Sequence, residues 1–403
     1  MNNKSSPSPH ALSAPASGSY PDWILLDTLA SGAKHRWRSL SSSAPASASS
    51  ATTATASVKL ENGAEAVVEI SFRLFEPPDV SSFSVRCGGV RDDGTPYHAC
   101  VVGAEGNVVL LYIILDRYEP GLFFVYTASH GSPSLDVLPR PSCSFNPTQS
   151  VGILPLAGGR GYLVAASACA QFLEGVFKCQ LFLYSSETKA WSTKLAPVLG
   201  DRDTDWEAGI LVCNLLSEEE PVLSFIDLPD PMLGNEDDFG ITSARSIRDA
   251  ICVGDLIRLV EVDYHQHEDA VTLGIADTDD YGWKAKIWTR MLASRDWHDS
   301  FAVDTDEIPV TAEVRSHLFP DPWDEKLEEQ SLNDLIYSAP TLSVENGVLY
   351  MMSKLDFDPM NPVAWLAVVD MRKNSLELVS ITAELISHCN MTHRPCDFSK
   401  FLR

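Results

Sequence analysis

Apolar residues in this chain fall in short runs broken by turn-formers. "AVVEISFRLFEPP" alternates apolar and polar positions and stops at Pro77 and Pro78, as a half-buried strand does. "SSFSVRCGG" repeats the pattern and closes at Gly88 and Gly89. "NVVLLYIIL" and "GLFFVYTAS" flank "DRYEP", a turn followed by Gly121. Further strands are predicted in "PDWILLD", "GYLVAASACAQF", "CQLFLYSSETKAW", "GILVCNL", "PVLSFIDLP", "DAICVGDLIRLVEVDY", "AVTLGIADT" and "WKAKIWTRM". Near the end, "APTLSVENGVLYMMSK" places Asn346-Gly347 between two apolar runs, a strong local hairpin signal. "AWLAVVDMRKNSLELVSI" reads as one more strand pair.

Helical spacing is scarce. "DPWDEKLEEQSLNDLIYS" carries Leu327, Leu332, Leu335 and Ile336 at suitable intervals, and "ITAELISHC" predicts a short helix. Closely spaced strands without long helical stretches predict an all-β fold: a sandwich, barrel or propeller. Weak repetition favours an irregular β-propeller-like fold with minor short helices. An apolar strand, a Gly-containing turn, a strand and a further strand recur around "GGRGYLVAAS", "CVGDLIRLVEV" and "VENGVLYMMSK". Propeller blades recur at roughly 40–50 residues, which predicts about five to seven of them.

Two stretches lack apolar residues that could offset the entropy of ordering. Residues 1–19, rich in Ser, Pro and Ala, are predicted to be a disordered N-terminal tail, and residues 39–57 a low-complexity loop. The propeller-like domain is then placed at 20–387 and a C-terminal tail at 388–403.

Charge narrows the choice of partner. Among 403 residues, 30 basic against 55 acidic side chains give a formal charge of −25. That field repels phosphate backbones and anionic lipid, arguing against direct nucleic-acid or membrane binding, and it favours basic partners. It also keeps a protein soluble. The apolar run Val108–Leu115 is too short to span a bilayer as a helix. "MNNKSSPSPHALSAPASGSY" lacks the apolar core of a secretory signal and is poor in arginine. The 9 cysteines form no CxxC pair, and Cys213 and Cys252 lie in apolar surroundings, as buried thiols of a reducing compartment do. Cytoplasm, nucleus or both are expected.

Candidate chemistry is thin. His265 and His267, beside Glu268 and Asp269, would share a face on a strand and could reach one metal; a polar hairpin tip is the plainer reading. His388, Cys389, His393 and Cys396 cluster near the C-terminus, but Cys-x6-Cys does not fit the common zinc spacings. "DRDTDWE" offers Asp201, Asp203, Asp205 and Glu207 at alternate positions, as a calcium loop does. Trp206 and Val212 occupy the positions where such a loop needs Gly and Glu. "GGRG" at Gly158–Gly161 lacks the Lys-Ser/Thr of a phosphate loop, and neither GxSxG nor HExxH occurs. No catalytic, cofactor-binding or metal-binding residue is assigned. Trp191, Trp206, Trp283, Trp288, Trp297 and Trp365 are expected to pack between sheets, with a minority free to line a recognition surface.

Taken in order, "PDWILLD", "TTATA" and "VEISFRLFEPPDVSSFSVRC" resemble the N-terminal block of a plant family expanded in grasses, domain of unknown function 1618. "GILVCNLLSEEEPVLSFIDLP", "RSIRDAICVGDLIRLVEVDY" and "WKAKIWTRML" resemble the named domain itself, here about residues 200–310. The resemblance covers most of Pro21 to Leu378 and implies no activity, cofactor or catalytic residue. Some members of the family resemble F-box-associated proteins, but no F-box-like helical segment precedes the β region here. The functional expectation is a non-enzymatic module presenting loops to a protein or peptide partner, possibly basic. The alternatives are a hydrolase or lyase using a propeller channel, or a lectin-like binder of small ligands.

Overall fold

The computed structural model describes residues 20–30, 50–61, 63–89, 95–141, 151–156, 161–173, 176–199, 209–215, 221–235, 244–266, 281–312, 314, 332, 335–354, 364–381 and 393–403. Within them the protein is all-β, with only short helical turns such as Ala244–Ile247. The strands form five sheets.

The first sheet joins the two ends of the described chain. Strand β1 (Ile24–Asp27) pairs antiparallel with β23 (His393–Cys396) on one side and parallel with β4 (Val80–Gly88) on the other. Outside β4 come β3 (Glu65–Arg73) and β2 (Ala54–Lys59). The second sheet runs β5 (His98–Glu105), β6 (Val108–Ile114), β7 (Leu122–Thr127) and β8 (Ser134–Val137). The third runs β9 (Val151–Pro155), β10 (Tyr162–Leu173), β11 (Val176–Ser185) and β12 (Ala190–Leu199). It continues through β14 (Leu223–Asp227) to β13 (Gly209–Cys213). The fourth comprises β15 (Arg248–Val253), β16 (Leu256–Gln266), β17 (Tyr281–Met291) and β18 (His298–Asp304). The fifth comprises β19 (Ile336–Leu342), β20 (Val348–Lys354), β21 (Ala364–Asp370) and β22 (Ser375–Ile381).

The hairpins fall where the turn chemistry placed them. Asn346-Gly347 joins β19 to β20, with Gly347 at φ +76° and Ser343 N–H donating to Val348 O. A side chain at Gly347 would also press on Phe301 and Arg372. Ile336–Ser338, the end of the predicted helix, instead opens β19, because Tyr337 packs edge-on against the buried Trp283. Most of that predicted helix, "AVTLGIADT", residues 1–19 and 39–49 lie outside the described residues. The rest of the predicted low-complexity loop, 50–57, is instead a helical turn and the start of β2, because Thr52 and Ala54 are buried and Thr52 Oγ1 donates 2.8 Å to Phe72 O. Residues 393–403, expected as part of a tail, hold strand β23 and a helical turn whose Phe398 is fully buried against Phe72 and Tyr126.

The sheets pack face to face. Ile24, Leu26 and Phe83 meet Leu111, Phe124 and Tyr126 between the first and second sheets. Cys100, Leu110 and Val125 meet Tyr162, Val164 and Tyr184 between the second and third. Val260, Trp283 and Ile287 meet Leu349, Met351 and Trp365 between the fourth and fifth. Leu25 meets Val348, Tyr350 and Leu366, which returns the fifth sheet to the first. Between the third and fourth, the Trp297 indole donates 2.7 Å to Asp227 O. Trp283, Trp288 and Trp365 are buried within strands, as core packing requires, and Trp206 lies outside the described residues.

Candidate functional site

Strand β5 touches β9 and β23, and β19 touches β15 and β23. Strands β15 and β19 run the same way. Asp249, near the start of β15, accepts from Leu342 N–H at 2.9 Å. Two residues further along β15, Ile251 pairs with Arg258, whose guanidinium donates 2.8 Å to Val344 O and 3.1 Å to Glu345 O. Both chains therefore advance together. Thr341 Oγ1 donates to His393 O and so joins β19 to β23. The C-terminal ends of β15 and β19 thus lie together, as do those of β5 and β9, where Gly103 approaches Ile153 and Gly106 approaches Pro155; Glu105 at the end of β5 is near Cys252 and Arg394.

That end collects charge from three sheets. Glu105 closes β5, Cys252 lies one residue from the end of β15, and Arg394 and Cys396 lie on β23, just before Asp397. Burial first, then Asp397, pushes the Glu105 carboxyl up, while Lys400 and Arg394 oppose the rise. Burial lowers the Arg394 guanidinium, with Cys396 and Glu105 acting against it. Arg394 keeps some contact with solvent although protein surrounds it, as in a narrow crevice. Its Nε is buried and has no hydrogen-bond partner among the described residues. Asp397 is held by Lys400. Cys252 is exposed, yet burial, then Asp255 and Glu105, push its thiol up. It stays protonated at neutral pH and is a poor nucleophile.

Near this cluster lies a depression of about 500 Å³ that is largely open to solvent. It is lined by Gly106 and Asn107 of the β5–β6 turn, Ser129 and His130 after β7, Leu156 after β9, and Phe401. Gly106 directly follows Glu105, and Phe401 directly follows Lys400, so two charged residues flank the lining in sequence without being part of it. Gly106 has φ +53°, and a Cβ there would sit 3.2 Å from Pro155 Cγ, so glycine lets the turn close on β9.

A second feature occupies the same end. Val253, Met291, Leu292 and Val344 are exposed apolar residues at the turns of the fourth and fifth sheets, 38–48% accessible. Leu256 pairs with both Val253 and Met291, and Leu292 N–H donates 2.8 Å to Asp255 O. Arg258 holds the Val344 turn against the fourth sheet.

Residues 204–350 match a family model. Its description is "Protein of unknown function (DUF1618)". The matched segment begins before β13 and ends within β20, at Tyr350, so it takes in the whole fourth sheet but only β19 and the start of β20 from the fifth. It contains the apolar turns, whereas Glu105, Arg394 and the cavity lie outside it. No curated protein matches the chain.

The residues weighed as metal ligands are dispersed or undescribed. His265 lies on β16 opposite Gly282, and His267, Glu268 and Asp269 lie outside the described residues. Asp201, Asp203, Asp205, Glu207, Gly158, His388 and Cys389 also lie outside them. His393 and Cys396 are buried on β23. Among the described residues, no cluster of three or more His, Cys, Asp or Glu is placed to hold a metal. The Glu105–Arg394 cluster escaped sequence reasoning because its members lie far apart in the chain and follow no motif.

Proposed function

We propose that the protein is a non-enzymatic, propeller-like interaction module that binds a protein or peptide partner through the end where the first strands converge. In this reading the five sheets are blades. Strands β23, β5, β9, β15 and β19 surround the axis, and pairing of β1 with β23 fastens the ring. The observation carrying the functional reading is the exposed apolar group Val253, Met291, Leu292 and Val344. Clustered apolar surface at adjoining turns of an acidic protein marks an interaction site. Cytoplasm or nucleus is the proposed setting, with neither nucleic acid nor membrane as a direct partner.

The test captures partners with tagged full-length protein and with a variant carrying Met291→Glu and Leu292→Glu. Both positions are exposed, so circular dichroism should stay unchanged. A stoichiometric protein retained by the parent and reduced at least ~10-fold by the variant supports the reading, since charges in an interface core are disfavoured. Equal capture by both, or a copurifying metabolite or metal in place of a protein, overturns it.

A further inference from the structure

We infer that the cavity beside Glu105 takes a peptide segment in which a bulky apolar residue is followed by a basic one. This rests on the proposed partner-binding role and names the chemistry of the ligand at that end. Phe401 and Leu156 supply apolar walls, and Asn107, Ser129 and His130 supply polar groups at the rim. The depression of about 500 Å³ is large enough to admit a leucine-sized side chain from solvent.

The charge beside the cavity selects the neighbouring residue. Glu105 keeps contact with solvent although protein packs around its carboxyl, and in the chain it directly precedes the lining residue Gly106. Its carboxylate has no hydrogen-bond or ion-pair partner among the described residues. The nearby cations are less available to it. Lys400 is engaged by Asp397, and the Arg394 Nε is buried, although both cations act on Glu105 at longer range. Asp255 adds a second carboxylate on the Cys252 side. An incoming ammonium or guanidinium would find Glu105 ready to accept it, and such charge-assisted pairs fix register and favour one partner over its acidic counterpart.

Binding of three end-capped peptides to the full chain tests this by fluorescence anisotropy. They share one leucine and differ only in whether Lys, Ser or Glu follows it. The Leu-Lys peptide should bind at least ~10-fold tighter than Leu-Glu, with Leu-Ser between them. Glu105→Gln should remove the Lys preference and leave Leu-Ser affinity within about twofold. Ser129→Trp, at an exposed lining position, should fill the cavity and abolish binding of all three. Equal affinities, a preference for Leu-Glu, a Lys preference surviving Glu105→Gln, or no binding of any peptide would each overturn the inference. If peptides fail while the Met291/Leu292 variant still loses its captured partner, this inference falls and the interaction role stands.

Discussion

At the residue scale, two buried polar arrangements behave oppositely. Asp27 is fully buried on β1, with Oδ1 accepting from Leu29 N–H at 2.9 Å and Oδ2 without a partner among the described residues. Burial pushes its carboxyl from 3.8 to about 7, and the Leu29 contact only partly opposes this. The unfolded chain therefore loses the proton near 3.8, while the folded chain holds it to about 7. Across that window the folded state binds more protons, so stability falls as pH rises and levels off above it. The cost is on the order of 4 kcal/mol at neutral pH, at about 1.4 kcal/mol per pKa unit. Asp27→Asn should remove this slope and be the more stable form at about pH 8, as urea midpoints across the range would reveal. Glu261 is also buried, yet it is well satisfied. It accepts from Arg248 Nε at 2.8 Å, Asn235 Nδ2 at 2.8 Å and Met232 N–H at 2.7 Å. Glu261→Ala would strand the Arg248 charge and should cost about 3–5 kcal/mol, whereas replacing both residues by apolar ones of similar volume should cost far less. Equal losses in denaturant titrations of the two variants would refute that account.

At the scale of elements, the hairpins were legible in the sequence and the closure was not. Asn346-Gly347 determines a local turn, and the alternation in "AVVEISFRLF" reads directly as β3, with Ala66, Val68 and Ile70 buried. Strand β23 is four residues long and includes Pro395, too little pattern to show in a window. Its partner β1 lies at the other end of the described chain, and such long-range pairing leaves no local signature. The same reason hid the candidate site, since Glu105, Cys252 and Arg394 meet only when separate sheets align. Phe398 anchors the closure, its ring 4.9 Å from Phe72 and 6.0 Å from Tyr126. Phe398→Ala should cost about 3–5 kcal/mol. Deleting residues 393–403 removes β23 itself and should abolish a single cooperative unfolding transition. A truncated chain that melted like the parent would show that β1 and β23 contribute little.

At the scale of the whole molecule, a formal charge of −25 acts at longer range than any contact described above. Exposed charges are screened over about 8 Å at physiological ionic strength, so the field steers a partner mainly before contact. Several acidic runs, Glu218–Glu220, Glu236–Asp238 and Asp277–Asp280 among them, lie outside the described residues, and their charge still enters the total. Association with a basic partner should therefore slow by about 10-fold or more between low and high salt, while dissociation changes much less. Glu105→Gln should show the reverse pattern. It removes one charge of many and so barely alters the association rate, but it turns a charge-assisted contact beside the cavity into a neutral one and should speed dissociation. Stopped-flow association and dissociation rates, measured for both forms across a salt series, separate the two contributions. An association rate that stays level or rises with salt would assign the acidity to solubility alone. A Glu105→Gln effect confined to association would place that carboxylate in the diffuse field instead of at the contact.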